Sequence, residues 1–292
     1  MPSAKILPFG VALALLGPWA ASADEPPFAT LYGIDVMPAG ETEVEQWAGW
    51  QSGKPDETFN SVFGRTEFEY GVTDRFQVAA GPIYDWARIR PHDAEAPDAA
   101  RDGVKFRAVS VEAIYRLLDP KTQPFGLALY LEPAIGPGYR EVEAKLLLQK
   151  NLLDGRLILA ANAIMESEWH RSSPDVPPLA TEAASGWDKE TEFNLLLGAA
   201  YRFAPDWSGG AEFAANREVD GLAWRHDFSA AATSYYLGPT LHYDSERYWV
   251  TLGAQAQLPW AANLSGELGE TAHGFARDQE RYRIRLRFGV DL

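Results

Sequence analysis

The chain has 292 residues, of which 26 are basic (Lys and Arg), 41 are acidic and none is cysteine. A formal net charge of −15 argues against nucleic acid as a partner, and the lack of cysteine excludes disulfides and thiolate metal sites. Aromatic residues make up 12% of the chain although its mean hydropathy is slightly negative, which is typical of a protein with half-apolar strands and acidic loops.

The N-terminus predicts a secretory signal peptide over residues 1–23. Lys5 precedes an apolar run from Ile6 to Leu16, and residues 21–23 form a small-residue cleavage site. Cleavage would leave 25 basic and 41 acidic residues, a net charge of 25 − 41 = −16. No later segment has the roughly 18 consecutive apolar residues that a membrane helix requires. If the protein lies in a membrane, we expect it to cross with strands.

Residues 24–40 show no strand pattern, and Met37 to Gly40 reads as a turn. We expect this segment to be a periplasmic N-terminal lead. Residues 41–292 then form the remaining domain, in which stretches of alternating polar and apolar residues recur about twelve times. The last stretch, residues 281–292, alternates without a break.

Short turns and long polar loops follow these stretches in regular alternation. The short turns lie near Asp74, Pro120, Asp154, Pro205 and Ser245. An even strand count with loops sorted by length predicts an all-β fold, a transmembrane antiparallel up-and-down β-barrel of about 12 strands with both termini periplasmic. A secreted β-sandwich is the alternative, although it has no reason to sort its loops between two ends. Aromatic residues beside the short turns predict an interfacial girdle.

Side chains on a strand alternate in direction, so the residues opposite the apolar face should line the lumen. By this rule, thirteen acidic and seven basic residues should face the lumen. They could line a wet channel or pair into a salt-bridge network that fills a narrow barrel. Because the last strand must pair with the first, we expect its arginines to lie near the acids of the first two strands. The predicted lumen-facing residues are Glu43, Glu45, Arg65, Glu67, Glu69, Glu112, Arg116, Glu132, Glu141, Glu143, Lys145, Glu166, Glu168, Glu190, Glu192, Arg202, Glu212, Arg283, Arg285 and Arg287.

Signals for catalysis and metal binding are weak. His170 and Ser172 have the His-x-Ser spacing of outer-membrane lipases, but Pro174 follows where that motif does not carry proline, and no base-orienting partner is evident. We therefore predict no catalytic residue, no cofactor and no metal ligand. The acidic residues Asp93, Glu95, Asp98 and Asp102 read as a solvated loop, and Lys105 and Arg107 are the better candidates for contact with lipopolysaccharide phosphates.

Four segments carry a resemblance to a known family. They are residues 70–77 (YGVTDRFQ), residues 115–120 with 127–133 (YRLLDP and LALYLEP), residues 201–205 (YRFAP) and residues 238–242 (GPTLH). They resemble an uncharacterised family of proteobacterial outer-membrane barrels, over most of the mature chain. The resemblance implies export and a barrel fold, and it implies no substrate.

Three functions follow from these observations. The first is a passive, cation-preferring channel or transporter for small solutes in the outer membrane of a Gram-negative bacterium. The second is a non-conducting structural or interaction barrel with a salt-bridge-filled lumen, and the third, the least favoured, is an outer-membrane lipid hydrolase. The expected partners are outer-membrane lipids, lipopolysaccharide and the barrel-assembly machinery. The sequence names no solute.

Overall fold

The computed structural model describes residues 25–55, 57–91, 101–171, 186–222, 229–261, 271–272 and 274–292. Within those ranges no helix is long and apolar enough to cross a membrane. The predicted signal peptide, Asp93, Glu95, Asp98 and Ser172 lie outside them.

Twelve strands form one closed barrel in which every neighbouring pair is antiparallel. Strands adjacent in sequence are adjacent in the barrel, and the last strand closes it against the first, with Arg287 opposite Trp47. The predicted all-β barrel of 12 strands is confirmed. Its strands are β1 Thr42–Ser52, β2 Glu57–Thr73, β3 Phe76–Pro91, β4 Arg101–Leu118, β5 Gly126–Gly136, β6 Tyr139–Leu152, β7 Leu157–Arg171, β8 Trp187–Ala204, β9 Trp207–Asp220, β10 Ser229–Asp244, β11 Tyr248–Gln257 and β14 Tyr282–Asp291, and the separate two-residue strands β12 Thr271–Ala272 and β13 Phe275–Ala276 pair with each other.

The two faces of the barrel wall differ as the alternation predicts. On β5, Leu129 and Leu131 are 48% and 50% exposed, whereas Tyr130 and Glu132 between and beyond them are buried. Apolar side chains outside and charged side chains inside are the reverse of a soluble protein. An apolar outer face requires lipid around it.

The five short turns that the sequence predicted lie at one end of the barrel, which we call the turn end. The opposite end, the loop end, has the long connections together with two short ones, after β1 and after β5. Aromatic rings on the outer face gather at the turn end, where Trp207 and Tyr243 have ring centroids 4.9 Å apart and Tyr243 and Tyr248 5.8 Å apart. Phe76 and Tyr115 form a further pair at 6.3 Å. Such rings are typical of the boundary between lipid and water.

The third and fourth strands are longer than the sequence predicted. The polar composition of residues 87–103 predicts a loop that includes Asp102, but β3 continues to Pro91 and β4 begins at Arg101, so Asp102 lies in a strand. A bulge interrupts their pairing, because Ile83 lies opposite Ala108 and the next residue lies opposite Phe106. Arg107 is the extra residue of this bulge, so it leaves the alternation and points inward. The sequence pattern placed Arg107 on the outer face, and that position is wrong, because its side chain pairs with Glu168 in the lumen.

The N-terminal segment is the largest difference from the sequence prediction. Residues 25–40 were expected to be a periplasmic lead, but Phe28, Leu31 and Ile34 are fully buried inside the barrel. We call residues 25–40 the plug. Because its apolar side chains recur every three residues without strand alternation, the pattern gave no sign of an element, yet burial of three such side chains stabilises this position.

Candidate functional site in the barrel lumen

The lumen is lined by the residues that the parity of the strands selected. All twenty predicted charged residues lie on the inner face of the wall, most of them buried or half-buried. Several acidic and basic groups that the prediction missed join them. Arg107 enters through the bulge, Glu218 lies beside Glu190 and Glu192, and Glu280 precedes β14.

The plug enters from the turn end, reaches the middle of the lumen and returns. Glu25 and Asp35 line the cavity at the turn end, whereas Thr30 and Tyr32 between them line the cavity on the other side. The segment leaves the lumen where the Ala39 amide donates to the Asp74 carboxylate at 3.1 Å. It therefore forms a loop whose tip separates the two cavities.

Inward polar side chains of the wall bind the plug backbone. Asn162 accepts from the Tyr32 amide at 2.8 Å and donates to the Tyr32 carbonyl at 3.0 Å. The Glu212 carboxylate accepts from the amides of Ala29 and Thr30 at 2.7 and 2.8 Å. Buried backbone amides and carbonyls outside a sheet need hydrogen-bond partners. Here side chains of the barrel wall provide them in place of a neighbouring strand.

Apolar side chains at inward positions pack on both sides of the plug. Phe28 and Leu31 contact a cluster contributed by β7 to β10, which includes Leu196 and Tyr236. Ile34 lies in a second cluster formed with β1 and β4 to β6. Apolar side chains at these inward positions are not expected in a lumen filled with water. Their presence could have indicated that something apolar occupies it.

The tip of the plug is held among aromatic rings and cations. The Tyr32 ring lies 5.4 Å from the Trp47 ring and 4.9 Å from the Tyr130 ring. The Lys145 ammonium lies 3.6 and 3.8 Å from the centroids of the two tyrosine rings and 2.9 Å from the Glu143 carboxylate. Cation–π contacts are stronger when desolvated, so this cluster fixes the tip.

A network of buried charges adjoins the tip on the wall. The Arg65 guanidinium contacts the carboxylates of Glu67, Glu112 and Glu132, the last two at 3.3 and 2.9 Å. Glu132 also accepts from the Tyr130 hydroxyl. This part of the lumen matches the predicted salt-bridge network and contributes to closing the barrel around the plug.

The three inward arginines of β14 have different surroundings. Arg287 forms a buried pair with Glu45, with Nε 2.6 Å from the carboxylate. Arg283 pairs with Glu280. Arg285 lies over the rings of Trp47 and Phe63, at 5.6 and 5.1 Å from their centroids. The expected contact between the last strand and the acids of the first therefore rests on Arg287.

A chamber of about 430 Å³ occupies the lumen on the loop-end side of the plug tip. Its lining has eight acidic side chains, among them Glu141, Glu166, Glu168 and Glu192, and five basic ones. Arg107 partly neutralises Glu168 at 3.4 Å and lies over the Tyr139 ring, 4.4 Å from its centroid. The chamber is a polar cavity with an excess of carboxylates.

A vestibule of about 1320 Å³ lies on the turn-end side of the plug. Its charges are mixed, because Lys121, Arg156 and Arg202 stand among Asp154 and other acids of the short turns. The plug is therefore the partition between an acidic chamber and a vestibule of mixed charge.

Within the described ranges, three groups of carboxylates lie close enough to share a cation, with one oxygen of each residue within 4.8 Å of the others. Oxygen-only sets of this kind suit hard cations. Glu45 and Glu168, however, already have cationic partners in Arg287 and Arg107. We assign no metal to these groups, which are Glu43 with Glu45 and Glu69, Glu141 with Glu166 and Glu168, and Glu190 with Glu192 and Glu218.

Comparison with solved structures finds other outer-membrane barrels. An outer membrane channel from Pseudomonas putida F1 is 13% identical, with a TM-score of 0.58 over 89% of this chain and 98% of that one. The β domain of the Bordetella autotransporter BrkA is 9% identical, with a TM-score of 0.50 over 87% of this chain and 100% of that one. These likenesses show the fold. Comparison with curated proteins gives no match.

The resemblance to an uncharacterised family of outer-membrane barrels is confirmed by a family model that covers the plug and the whole barrel. The model matches residues 20–292, and the chain belongs to the family of unknown function DUF6662.

Proposed function

We propose that this protein is an outer-membrane channel for small solutes, with a preference for cations, and that the plug closes it in the conformation described here. The position of the plug carries the proposal. A barrel built only as a scaffold would fill its lumen from the wall, whereas here a separable segment stands between two polar cavities of about 430 and 1320 Å³. Displacing that segment would join the cavities into one path.

The charge of the chamber supports the preference for cations. Among the described residues, Glu141 accepts from the Tyr139 hydroxyl and Glu192 from the Asn194 side-chain amide, and neither of these neutral donors cancels a carboxylate charge. Uncompensated carboxylates between low-dielectric walls focus a negative potential, which enriches permeating cations and repels anions.

The surroundings of the barrel belong to the same proposal. The exposed apolar face and its aromatic girdle fit the outer membrane of a Gram-negative bacterium. We propose outer-membrane lipids, lipopolysaccharide and the barrel-assembly machinery as its partners. The sequence showed no partner that could orient His170, but its ring nitrogen lies 2.5 Å from the Glu168 carboxylate. Because the same carboxylate also pairs with Arg107, we assign it to the charge network of the lumen and propose no enzymatic activity.

Reversal potentials in planar bilayers across a KCl gradient test the proposal. We expect intermittent openings with a reversal potential of the sign set by potassium permeation. Anion selectivity would contradict the assignment of the chamber. If the protein is folded and inserted but carries no current even after a mutation has released the plug, the protein is a non-conducting barrel.

A further inference from the structure

Arg285 differs from its neighbours on β14 because it has no acidic partner. Arg283 and Arg287, two residues to either side on the same face, each pair with a glutamate. Among the described residues no carboxylate lies within 4 Å of the Arg285 guanidinium, which nonetheless lines the chamber. A half-buried cation without a counter-charge is costly in a folded protein, so its retention needs another reason.

The residues beside Arg285 on the neighbouring strands carry no charge. Its cross-strand neighbours are Gly49 on β1 and Gly253 on β11. A Cβ at Gly49 would lie 1.7 Å from the Phe63 ring, so glycine is required for that ring to cross β1 and support the guanidinium. Ala29 of the plug fills the space above Gly253 in the same way, so neither neighbouring position offers Arg285 a counter-charge.

The opposite wall of the chamber carries a carboxyl group without a partner. Glu166 on β7 has no ion pair or hydrogen bond within the described part of the chain. In the barrel order β7 lies five strands from β14 on one side and seven on the other, so Glu166 and Arg285 face each other across the lumen. Glu141 on β6, the strand directly opposite β14, adds to the negative wall.

We infer that the chamber binds a small zwitterionic solute, with its anionic group on Arg285 and its ammonium group on the carboxylates around Glu166. The guanidinium offers a fork of donors that matches a carboxylate, and the ammonium group suits a wall of acids. Two charges on opposite walls select a solute whose charged groups are separated by a flexible chain. This inference rests on the proposed function, because it identifies the class of solute that the channel admits.

Equilibrium binding to the purified protein in detergent tests the inference without requiring conduction. The probes are 6-aminohexanoate, hexanoate and hexylamine, which share one chain length and carry both charges, the negative charge or the positive charge. Titration calorimetry should show that 6-aminohexanoate binds at least about tenfold more tightly than either singly charged probe, since each end adds a charge-assisted bond.

Single substitutions test which residue binds each charged group of the solute. Arg285→Gln should weaken 6-aminohexanoate about tenfold and leave hexylamine unchanged, whereas Glu166→Gln should weaken 6-aminohexanoate and leave hexanoate unchanged. Arg285→Lys should retain part of the affinity. Lys150→Gln, at an exposed position near the turn end, is the matched control and should bind like the unmodified protein.

The inference is wrong if 6-aminohexanoate binds no more tightly than hexylamine, or if both substitutions leave its Kd unchanged. If either variant fails to fold, the other performs the same test on its own charge. Binding without conductance would overturn the channel and keep the site; conductance without binding would overturn only the site.

Discussion

Replacing Asn162 with leucine should release the plug. Asn162 holds both backbone groups of Tyr32 through bonds of 2.8 and 3.0 Å, and leucine has a similar size with no polar atom. The substitution leaves a buried amide and a buried carbonyl without partners while the plug is docked. Both groups regain water when the plug leaves the lumen, so the change acts on the docked state alone.

The expected effect follows from these two bonds. An unsatisfied buried polar group costs about 1–3 kcal/mol, so docking of the plug should weaken by roughly 2 kcal/mol or more. Since about 1.4 kcal/mol corresponds to a factor of ten, the ratio of displaced to docked plug should rise roughly 30-fold.

Single-channel recording measures this ratio as open probability. Asn216→Leu is the matched control, because Asn216 also points into the lumen but makes no hydrogen bond to the described plug residues. Circular dichroism should report an intact barrel for both variants. An Asn162→Leu protein that is folded, inserted and opens no more often than the control would refute the assignment of the plug as the closing element.

Three further predictions concern stability and topology. Arg287→Gln should lower the unfolding temperature in detergent, because it leaves the buried Glu45 carboxylate without its partner at a cost of about 3–5 kcal/mol; an unchanged melting curve would mean that the seam between first and last strands does not depend on this pair. Gly49→Ala should also lower that temperature, whereas Gly103→Ala should not, since a Cβ at position 49 meets the Phe63 ring and one at position 103 meets nothing within 4 Å. Ser245→Cys should resist an impermeant thiol reagent in intact cells and react after lysis, and labelling of intact cells would reverse the orientation of the barrel.

The barrel could be predicted from sequence because each strand carries its own signal. Alternation fixes which side chains point inward, and turn length sorts the two ends, so neither requires knowledge of distant contacts. The closure of β14 on β1 follows from the same logic, since a barrel has no free edge. The sequence does not predict which arginine of β14 forms the ion pair with β1. The alternation points Arg283, Arg285 and Arg287 to the same face, and only the strand register, which places Arg287 opposite Trp47 and Arg285 opposite Gly49, distinguishes them.

The plug and the bulge could not be predicted, because both depend on contacts that a local pattern does not contain. Phe28 and Leu31 are stabilised by inward apolar residues more than a hundred positions away in the sequence, and Ile34 by residues up to 113 positions away. Arg107 points inward only because one extra residue on β4 shifts its pairing with β3. Inward apolar residues such as Leu196 are the signal that a second reading of the sequence could use, since a water-filled lumen does not explain them.

A reversible cross-link between the plug and the wall tests the account most directly. A Cβ at position 253 would lie 2.5 Å from the Ala29 Cβ, so a shift of roughly 1 Å gives disulfide geometry, and the chain has no other cysteine. In the Asn162→Leu background, Ala29→Cys with Gly253→Cys should be closed when oxidised and should regain openings, with cation selectivity, after reduction. Equal conductance in the oxidised and reduced states would show that solutes do not pass where the plug lies.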